Sequence, residues 1–507
     1  MVVLSSRNMT FKEFIDVAVN KEKVSLSDEL IDKIKKARDL VEELDKEDTP
    51  IYGINTGFGF LAGKKIDKDK IEELQFNLIR SHCTAVGEPY NEAVTRGIML
   101  LRARVMSQGY SGIRAKVINL LLELLNRNII PVIPSQGSVG ASGDLAPLAH
   151  LAITLLGEGE VFYNGKIEQT NEVFKKENII PVKLHSKEGL VLINGTQAMT
   201  ANGLIQLYRA KNILKSADII VSISLDALKG TIKAYDEKIS LIRPHQGQIN
   251  TATNIRNILK GSEILVSHSG CGKVQDAYSL RCVPQVHGSI KDVIAYVEKT
   301  LLIEMNSVTD NPLVFPDEKE IISGGNFHGE PIAFAMDFLG IAISEISSIS
   351  ERRVEQLVNP NSNDHLPAFL IKDEGVNSGF MIAHVTAASL VSENKVYAHP
   401  SSVDSIPTSA NKEDHVSMGT IGSNKAAKII DNVEKVIAIE YLIASQALDF
   451  RKPLKSSVAV EKAVSILRER VPFLTKDEYL KPYMEAAINI VSSGKLVSEI
   501  SELVDII

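Results

Sequence analysis

Apolar residues recur at three- and four-residue steps along several segments, a pattern that predicts amphipathic α-helices packed on a core. The first segment follows Ser27, a residue type that often caps helices, and carries acidic residues in its first turn. A second ends at Asn359-Pro360, because proline cannot continue a helix, and a third covers residues 426–448. The apolar positions are Leu30, Ile31, Ile34, Ala37, Val41 and Leu44 in the first segment, and Phe338, Leu339, Ala342, Ile343, Ile346, Ile349, Val354 and Leu357 in the second.

Strand patterns are few and short by comparison. Residues 159–165 predict the first strand of a hairpin that turns at Asn164-Gly165, and little else alternates strictly between apolar and polar positions. The region between Tyr52 and Asp144 is rich in glycine, whereas the remainder is rich in helical patterns. We therefore expect a mainly α protein, with a loop-rich N-terminal part over residues 1–190 and a helical bundle over residues 191–507.

Composition and charge narrow the class of protein. The chain of 507 residues is 44% hydrophobic and 23% charged, as in an ordered globular protein. Its net charge of -7 gives no general attraction for a polyanion, so nucleic acid is not an expected partner. Three widely spaced cysteines, Cys83, Cys271 and Cys282, exclude a disulfide framework and favour a reducing compartment. Without a signal-peptide pattern or an apolar run of about 18 residues, we expect a cytoplasmic protein with no membrane contact.

Several familiar nucleotide-binding and catalytic motifs nearly occur but fail. The glycines at positions 57 and 59 lack a third partner because Ala62 stands in its place, and residues 270–273 lack the upstream glycine and the Ser/Thr of a phosphate loop. Ser142 does not lie in a hydrolase elbow, because Asp144 stands where a second flanking glycine would be required. The 11 histidines include no His-Glu-x-x-His or comparable ligand spacing, so no metal site is predicted.

Residues 137–150, Gly-Ser-Val-Gly-Ala-Ser-Gly-Asp-Leu-Ala-Pro-Leu-Ala-His, admit two interpretations. In one, they form a tight glycine turn that leads into a helix, with Asp144 near the helix start and Pro147 in its first turn. In the other, the nitrogen of Gly143 attacks the carbonyl carbon of Ala141 and closes a five-membered ring, an approach that only small residues allow. Loss of water from Ser142 then leaves an exocyclic methylene, and the resulting methylidene-imidazolone is an electrophile that no ordinary side chain supplies.

Further distinctive blocks are spread between Tyr52 and about Arg451. Besides the Ala-Ser-Gly segment, they are Tyr52-Gly-Ile-Asn-Thr-Gly-Phe-Gly59, Arg80-Ser-His82, Asn194-Gly-Thr196, Gln275-Asp-Ala-Tyr278-Ser-Leu-Arg281, Thr309-Asp-Asn311-Pro312, Gly325-Asn-Phe327-His328-Gly329 and Glu413-Asp-His-Val-Ser417. Together these blocks resemble the aromatic amino acid ammonia-lyase and aminomutase family, and within it the branch that acts on histidine. The resemblance implies that Ala141, Ser142 and Gly143 form the methylidene-imidazolone, with no external cofactor.

The resemblance also implies a role for each matched residue. Tyr52 matches the family's catalytic tyrosine, which removes the β-proton, and Tyr278 would place a second phenol beside the carboxylate site. The sequence leaves open which of the two tyrosines takes the proton. Arg281 matches the residue that binds the substrate carboxylate through a bidentate ion pair. The polar and aromatic positions that would line the ring and the substrate are Asn194, Gln275, Asn311 and Phe327.

Two positions bear on the choice of substrate. Ser81-His82 is similar to the pattern of the histidine enzymes, and the Glu413 carboxylate is a natural partner for an imidazole N–H. Lys412 stands where those enzymes usually carry glutamine, and an inward-pointing Lys412 would pair with Glu413 and weaken imidazole recognition. The resemblance implies elimination of ammonia from L-histidine to give trans-urocanate. Tyrosine ammonia-lyase or aromatic aminomutase activity with the same electrophile, or an inactive helical scaffold, are the alternatives.

An architecture follows from the same resemblance. Family members are tetramers in which one active site draws residues from several subunits. A homotetramer with a small amino acid as substrate is therefore expected. The expected fold is an elongated central helical bundle that carries the active-site loops of the N-terminal part.

Overall fold

The computed structural model describes residues 1–46, 50–57 and 66–507, so Phe58, Gly59 and Ala62 lie outside the described residues. Within the described part, the chain forms two compact units. The first comprises Met1–Ile205, Glu298–Asp337 and Pro400–Asn424, and the second comprises Gln206–Val297, Phe338–His399 and Lys425–Ile507. A division into parts near residue 190 stays a prediction.

Helices dominate the described residues, which confirms the expectation of a mainly α protein. The first ten are α1 (Phe11–Ala18), α2 (Asp28–Leu44), α3 (Ile71–His82), α4 (Glu92–Ser107), α5 (Ala115–Asn126), α6 (Leu145–Leu155), α7 (Thr170–Glu177), α8 (Glu188–Ile193), α9 (Gln197–Ala227) and α10 (Glu237–Leu241). The others are α11 (Gln246–Ile258), α12 (Glu263–Ser267), α13 (Tyr278–Arg281), α14 (Val283–Met305), α15 (Glu330–Val358), α16 (Met381–Tyr397), α17 (Gly419–Asp449), α18 (Val458–Arg468), α19 (Lys481–Ser492) and α20 (Lys495–Ser501). Short 3-10 helices cover Lys68–Lys70, Ile232–Tyr235, Ala368–Leu370 and Ser409–Asn411.

The three helical patterns in the sequence are confirmed. α2 begins directly after Ser27, although the Ser27 hydroxyl makes no capping hydrogen bond. Its inward face is buried as the repeat predicts, whereas Ile31 lies exposed on the outer face. α15 ends directly before Asn359-Pro360, and α17 contains all of residues 426–448. The repeat of apolar positions therefore located each helix, and proline located one end.

All described strands lie in the first unit and are short. They are β1 (Val2–Leu4), β2 (Val24–Leu26), β3 (Val86–Pro89), β4 (Ile130–Pro131), β5 (Pro134–Gln136), β6 (Glu160–Tyr163), β7 (Lys166–Gln169), β8 (Leu313–Phe315) and β9 (Glu320–Ile322). β1 and β2 pair in parallel, whereas β3 with β5 and β8 with β9 pair antiparallel. The predicted hairpin is confirmed, because β6 and β7 pair around Asn164-Gly165, whose φ angles are 49° and 79°. β4 pairs with β6 and completes a three-stranded sheet.

A small apolar cluster in the first unit supports the loop that carries Tyr52. Ile54 is fully buried against α2 and against Val314 of β8. The side-chain oxygen of Asn55 accepts a hydrogen bond from the Ile51 N–H at 2.8 Å, which closes the loop on itself. The backbone on both sides of Tyr52 is therefore fixed by the buried Ile54 side chain and by the hydrogen bond between Asn55 and Ile51.

Among the described helices, α15 is long and apolar enough, by length and composition, to cross a membrane. However, 67% of its most apolar window is buried inside the protein. A lipid-facing helix would expose that window instead. The burial agrees with the core-facing position that the sequence pattern of α15 predicts.

Candidate active site

The Ala141-Ser142-Gly143 segment forms a tight turn directly before α6. Gly140, Ser142 and Gly143 have positive φ angles of 81°, 52° and 80°. The Gly143 N–H donates to the Gly140 carbonyl at 3.3 Å. A positive φ is unfavourable for a residue with a side chain, so the surroundings must hold Ser142 in this conformation. The turn-and-helix interpretation is thus correct for the backbone, and it leaves the ring-forming interpretation open.

Two backbone hydrogen bonds join Gly195 to this turn. The Asp144 N–H donates to the Gly195 carbonyl at 2.8 Å, and the Gly195 N–H donates to the Ser142 carbonyl at 3.4 Å. A Cβ atom at Gly143 would lie 2.1 Å from the Gly195 oxygen. Because real Cβ atoms do not approach so closely, only glycine fits at position 143.

Asp144, the next residue, is fully buried. Its carboxylate does not cap α6 but accepts hydrogen bonds from Thr420 Oγ1 at 2.6 Å and from the Met199 N–H at 2.9 Å. Burial raises the pKa of Asp144 from 3.8 to about 6, and the hydrogen bonds to the carboxylate oppose that rise. A buried acid with a pKa near neutrality therefore lies directly beside the turn.

Arg102 fixes the segment that contains Asn194. Its Nη1 donates to the Asn194 carbonyl at 2.6 Å and to Gln197 Oε1 at 2.5 Å. Burial lowers the pKa of Arg102 to about 10, so the guanidinium still carries its charge at neutral pH. Gln197 Nε2 donates to Thr309 Oγ1 at 2.7 Å, which joins this segment to the block that contains Asn311. The Asn194 side-chain oxygen is buried and has no hydrogen-bond partner among the described residues, so it is available to a further group.

The Glu413 carboxylate contacts the turn from a distant part of the chain. Ser142 Oγ donates to its Oε1 at 2.8 Å. Thr408 Oγ1 and Ser409 Oγ donate to its Oε2 at 2.9 and 2.6 Å. Lys412 is exposed and makes no ion pair with Glu413 within the part of the chain that the structure describes. The structure therefore joins two predicted residues, Ser142 and Glu413, without the pairing that an inward Lys412 would have made.

Tyr52, Asn311 and Phe327 lie on connected loops of the first unit. Gly53, beside Tyr52, has a φ of 77°, and a Cβ atom there would lie 3.2 Å from the Cδ of the proline that follows Asn311. Asn311 Oδ1 accepts a hydrogen bond from the Gly324 N–H at 2.8 Å, which ties its loop to the loop that carries Phe327. Both aromatic side chains are half-buried.

His82 is the last residue of α3. Its Nδ1 lies 2.8 Å from the Leu78 carbonyl oxygen, and since a carbonyl can only accept, we assign the ring proton to Nδ1. Nε2 of the neutral ring is then a hydrogen-bond acceptor, which suits an N–H donor such as an imidazole. α3 is joined to α8, the helix before Asn194, because Gln75 Oε1 accepts from the Gly189 N–H at 2.7 Å.

Gln275, Tyr278 and Arg281 belong to the second unit, in or just before the one-turn helix α13. Gln275 and Tyr278 are exposed. The Arg281 guanidinium lies 4.6 Å from the centroid of the Tyr278 ring, which is a cation–π contact. Arg281 Nε is buried and has no hydrogen-bond partner in the described ranges. Participation of these residues in one site with Ser142 stays a prediction.

Three side chains of the first unit, His328, Glu330 and His415, bring possible metal-ligand atoms within 4.8 Å of one another. Sequence spacing did not indicate this group, because His415 is distant from the other two. The imidazoles stack at 5.7 Å, and Nδ1 of His328 accepts a hydrogen bond from the Glu330 N–H at 3.3 Å. In the neutral ring this contact places the proton on Nε2.

Two buried charged residues at the site, Arg102 and Asp144, were not expected from the sequence. Arg102 lies in the middle of α4 and belongs to no motif, while Asp144 looked only like an acid at a helix start. The available signal was their charge within strongly apolar segments, because charged residues are rarely buried without a specific partner. The partners themselves are distant in sequence.

The helical fold and the Ala-Ser-Gly turn that is hydrogen-bonded to Gly195 define a class of protein. The chain belongs to the aromatic amino acid lyase family, which it matches over residues 9–469.

Individual relatives cover nearly the whole chain. It is 51% identical to the histidine ammonia-lyase of Caldanaerobacter subterraneus subsp. tengcongensis, over 99% of this chain and 98% of that protein. The crystal structure of histidine ammonia-lyase from Trypanosoma cruzi matches with a TM-score of 0.92 at 42% identity, over 99% of this chain and 95% of that chain. Tyrosine aminomutase from Streptomyces globisporus matches with a TM-score of 0.94 at 37% identity, over 100% of this chain and 99% of that chain. The fold is thus shared by a histidine ammonia-lyase and a tyrosine aminomutase, whereas the sequence identity is higher to the histidine enzymes.

Proposed function

We propose that this protein eliminates ammonia from L-histidine without oxidation and releases trans-urocanate. The observation that carries the proposal is the hydrogen bond between Ser142 and Glu413. It places a carboxylate suited to an imidazole N–H directly against a turn suited to ring formation. The 51% identity to a histidine ammonia-lyase over nearly the full length supports the same substrate.

We further propose that Ala141, Ser142 and Gly143 condense into a methylidene-imidazolone. The required glycine at 143, the positive φ of Ser142 and the unpartnered buried oxygen of Asn194 fit such a group. Its formation releases two water molecules, one when the Gly143 nitrogen bonds to the Ala141 carbonyl carbon and one when Ser142 loses its hydroxyl. The group supplies an electrophile for the substrate amine, which makes ammonia a better leaving group.

The other predicted residues bind the substrate and move its proton. Arg281 pairs with the carboxylate, while His82 Nε2 and Glu413 recognise the imidazole. Tyr52, on its supported loop, accepts the β-proton, and Tyr278 lies beside the carboxylate-binding Arg281. The positions that line the reacting groups are Asn194, Gln275, Asn311 and Phe327.

An aminomutase reaction on tyrosine is the second candidate, because the tyrosine aminomutase of Streptomyces globisporus matches with a TM-score of 0.94. Such a reaction would return the amine to the β-carbon instead of releasing it. Its product would be a β-amino acid, which chromatography distinguishes from urocanate. The lower identity to this enzyme, 37%, makes it the weaker candidate.

The direct test is incubation of the purified protein with L-histidine while the absorbance of urocanate is followed. L-tyrosine and L-phenylalanine serve as parallel substrates, and Ser142→Ala serves as the inactive control. We expect urocanate from L-histidine and no comparable product from the other two. Faster turnover of L-tyrosine, or full activity in Ser142→Ala, would refute the proposal.

We also infer a cytoplasmic homotetramer whose active sites are shared between subunits. A surface of the second unit supports association, because Tyr296, Phe338 and Ile341 are exposed and line an apolar groove of about 820 Å³. Exposed apolar patches of this kind mark interaction surfaces in soluble proteins. A second copy of the chain is the occupant that the family resemblance implies.

A further inference from the structure

α13 is a single helical turn that carries the predicted site residues Tyr278 and Arg281. So short a helix is not stable through its own hydrogen bonds, because nucleation of the first turn is unfavourable. The last carbonyls of a helix also lack donors within that helix. In α13, the carbonyls of Ser279 and Leu280 receive hydrogen bonds from two buried side chains of the second unit.

The first donor, Arg353, contacts Ser279 from within a fully buried ion pair. Its Nε and Nη2 donate to the Glu440 carboxylate at 2.6 and 2.8 Å, and its Nη1 donates to the Ser279 carbonyl at 3.3 Å. Ser224 Oγ and Ser350 Oγ donate to the same carboxylate at 2.7 and 2.5 Å. A buried pair contributes little net stability, because both charges lose their hydration. A guanidinium fixed on one side is, however, a rigid support for the carbonyl on the other side.

The second donor is Tyr235, whose hydroxyl donates to the Leu280 carbonyl. Burial raises the pKa of Tyr235 above its ordinary value, so the hydroxyl stays protonated and remains a donor. Arg256 Nη1 donates to the Tyr235 carbonyl at 2.6 Å and fixes the backbone behind the ring. Two independent side chains therefore determine where α13 lies.

We propose that Arg353 and Tyr235 are positioning residues that aim Arg281 at the substrate carboxylate. The proposal rests on the proposed function for the role of Arg281. The direction of the Arg281 guanidinium depends on α13, because it stacks on Tyr278 of the same turn at 4.6 Å. A displacement of about 1 Å is enough to weaken a two-point carboxylate contact about tenfold.

Calorimetric binding of two histidine analogues isolates this effect from turnover. Imidazolepropionate carries the ring and the carboxylate but no amine, whereas histamine carries the ring and the amine but no carboxylate. In Arg353→Lys and Tyr235→Phe, we expect affinity for imidazolepropionate to fall about tenfold and affinity for histamine to stay within about twofold. Arg352→Lys makes the same chemical change at the neighbouring, 59% exposed position and should alter neither affinity.

Hydrogen exchange supplies the structural readout. The amides of residues 280–282 should exchange faster in both variants and not in Arg352→Lys. Equal losses for the two ligands, unchanged affinities, or no binding of imidazolepropionate to the wild type would each overturn the positioning role. Tyr235→Phe keeps the test open if Arg353→Lys does not fold. If the wild type shows no lyase activity but both variants still lose affinity for imidazolepropionate and not for histamine, the proposed function is refuted and the positioning role stands.

Discussion

Glu413 is held by hydroxyl groups on both oxygens of its carboxylate. Oε1 accepts from Ser142, and Oε2 accepts from Thr408 and Ser409. When Ser142 loses its hydroxyl during ring formation, Thr408 and Ser409 still order the carboxylate through Oε2, and Oε1 becomes free to accept an imidazole N–H without a further loss of side-chain entropy. Against a phenyl ring the same carboxylate would have no donor, which disfavours phenylalanine.

Glu413→Gln tests this recognition. The amide keeps the shape but loses the charge-assisted hydrogen bond to the imidazole. We therefore expect kcat/KM for L-histidine to fall roughly 10- to 100-fold, which corresponds to a loss of about 1.4–2.7 kcal/mol of transition-state binding. Asp414→Asn, at the exposed neighbouring acid, is the matched control and should change kcat/KM by less than about threefold. Equal losses in the two variants would show that the effect is one of general charge.

Asp144 predicts a pH-dependent stability. Its folded pKa of about 6 lies above the ordinary 3.8, so the native state binds the proton more tightly and becomes less stable as pH rises from about 4 to 6. Relative to an Asp144→Asn variant, the free energy of unfolding should fall by about 2–3 kcal/mol between pH 4 and pH 7. Both proteins should carry Ser142→Ala, so that ring formation does not differ between them. Parallel stability curves for the two proteins would contradict the buried position of this acid.

Between elements, the turn before α6 depends on close contact with Gly195. Gly143→Ala would bring a Cβ atom 2.1 Å from the Gly195 oxygen, at a φ of 80°. Gly165, in the β6–β7 hairpin, has nearly the same φ of 79° but no atom within 4 Å of its Cβ position. Both substitutions introduce left-handed strain of about 1 kcal/mol, but only Gly143→Ala adds a clash with the backbone.

We therefore expect Gly143→Ala to abolish both ring formation and urocanate release, whereas Gly165→Ala keeps both and loses only a little thermal stability. Intact mass and the urocanate assay measure the two outcomes. If Gly143→Ala were as active as Gly165→Ala, close contact between the turn and Gly195 would not be required for ring formation.

Local sequence patterns predicted the elements, because helices and hairpins depend on near neighbours. The apolar repeat located α2, α15 and α17, and Asn164-Gly165 located the β6–β7 hairpin. The hydroxyl of Ser27 was a plausible cap but makes no capping bond, since one residue type does not fix a hydrogen bond. Element ends were accurate where proline decided them.

The candidate site was predictable only in part. The family resemblance identified Ser142 and Glu413, and the structure brings them into contact. Arg102 and Arg353 were missed, because their hydrogen bonds join residues that meet only after folding. The repeat of apolar positions along the sequence carries no information about such contacts. In the folded structure, each of the two arginines is a buried charge with a specific hydrogen-bond partner.

For the molecule as a whole, the apolar groove of the second unit predicts association. In the proposed homotetramer of 55.5 kDa chains, Ile341→Glu would place a charge among Tyr296 and Phe338, so we expect the native mass to fall below that of the wild type. Ile242→Glu is the matched control, because Ile242 is 87% exposed in the same unit and does not line the groove. Sedimentation velocity distinguishes the outcomes, and an intact tetramer in Ile341→Glu would place the interface elsewhere.

If three residues of this chain become its electrophile, the mature protein has lost water at those residues, and its intact mass reveals the loss. The wild type should weigh less than its sequence by two water molecules, with the loss mapped to the peptide that contains residues 141–143. Ser142→Ala, which has no hydroxyl to lose there, should not show the full loss. A wild-type protein that keeps its whole sequence mass across residues 141–143 would show that no methylidene-imidazolone forms there.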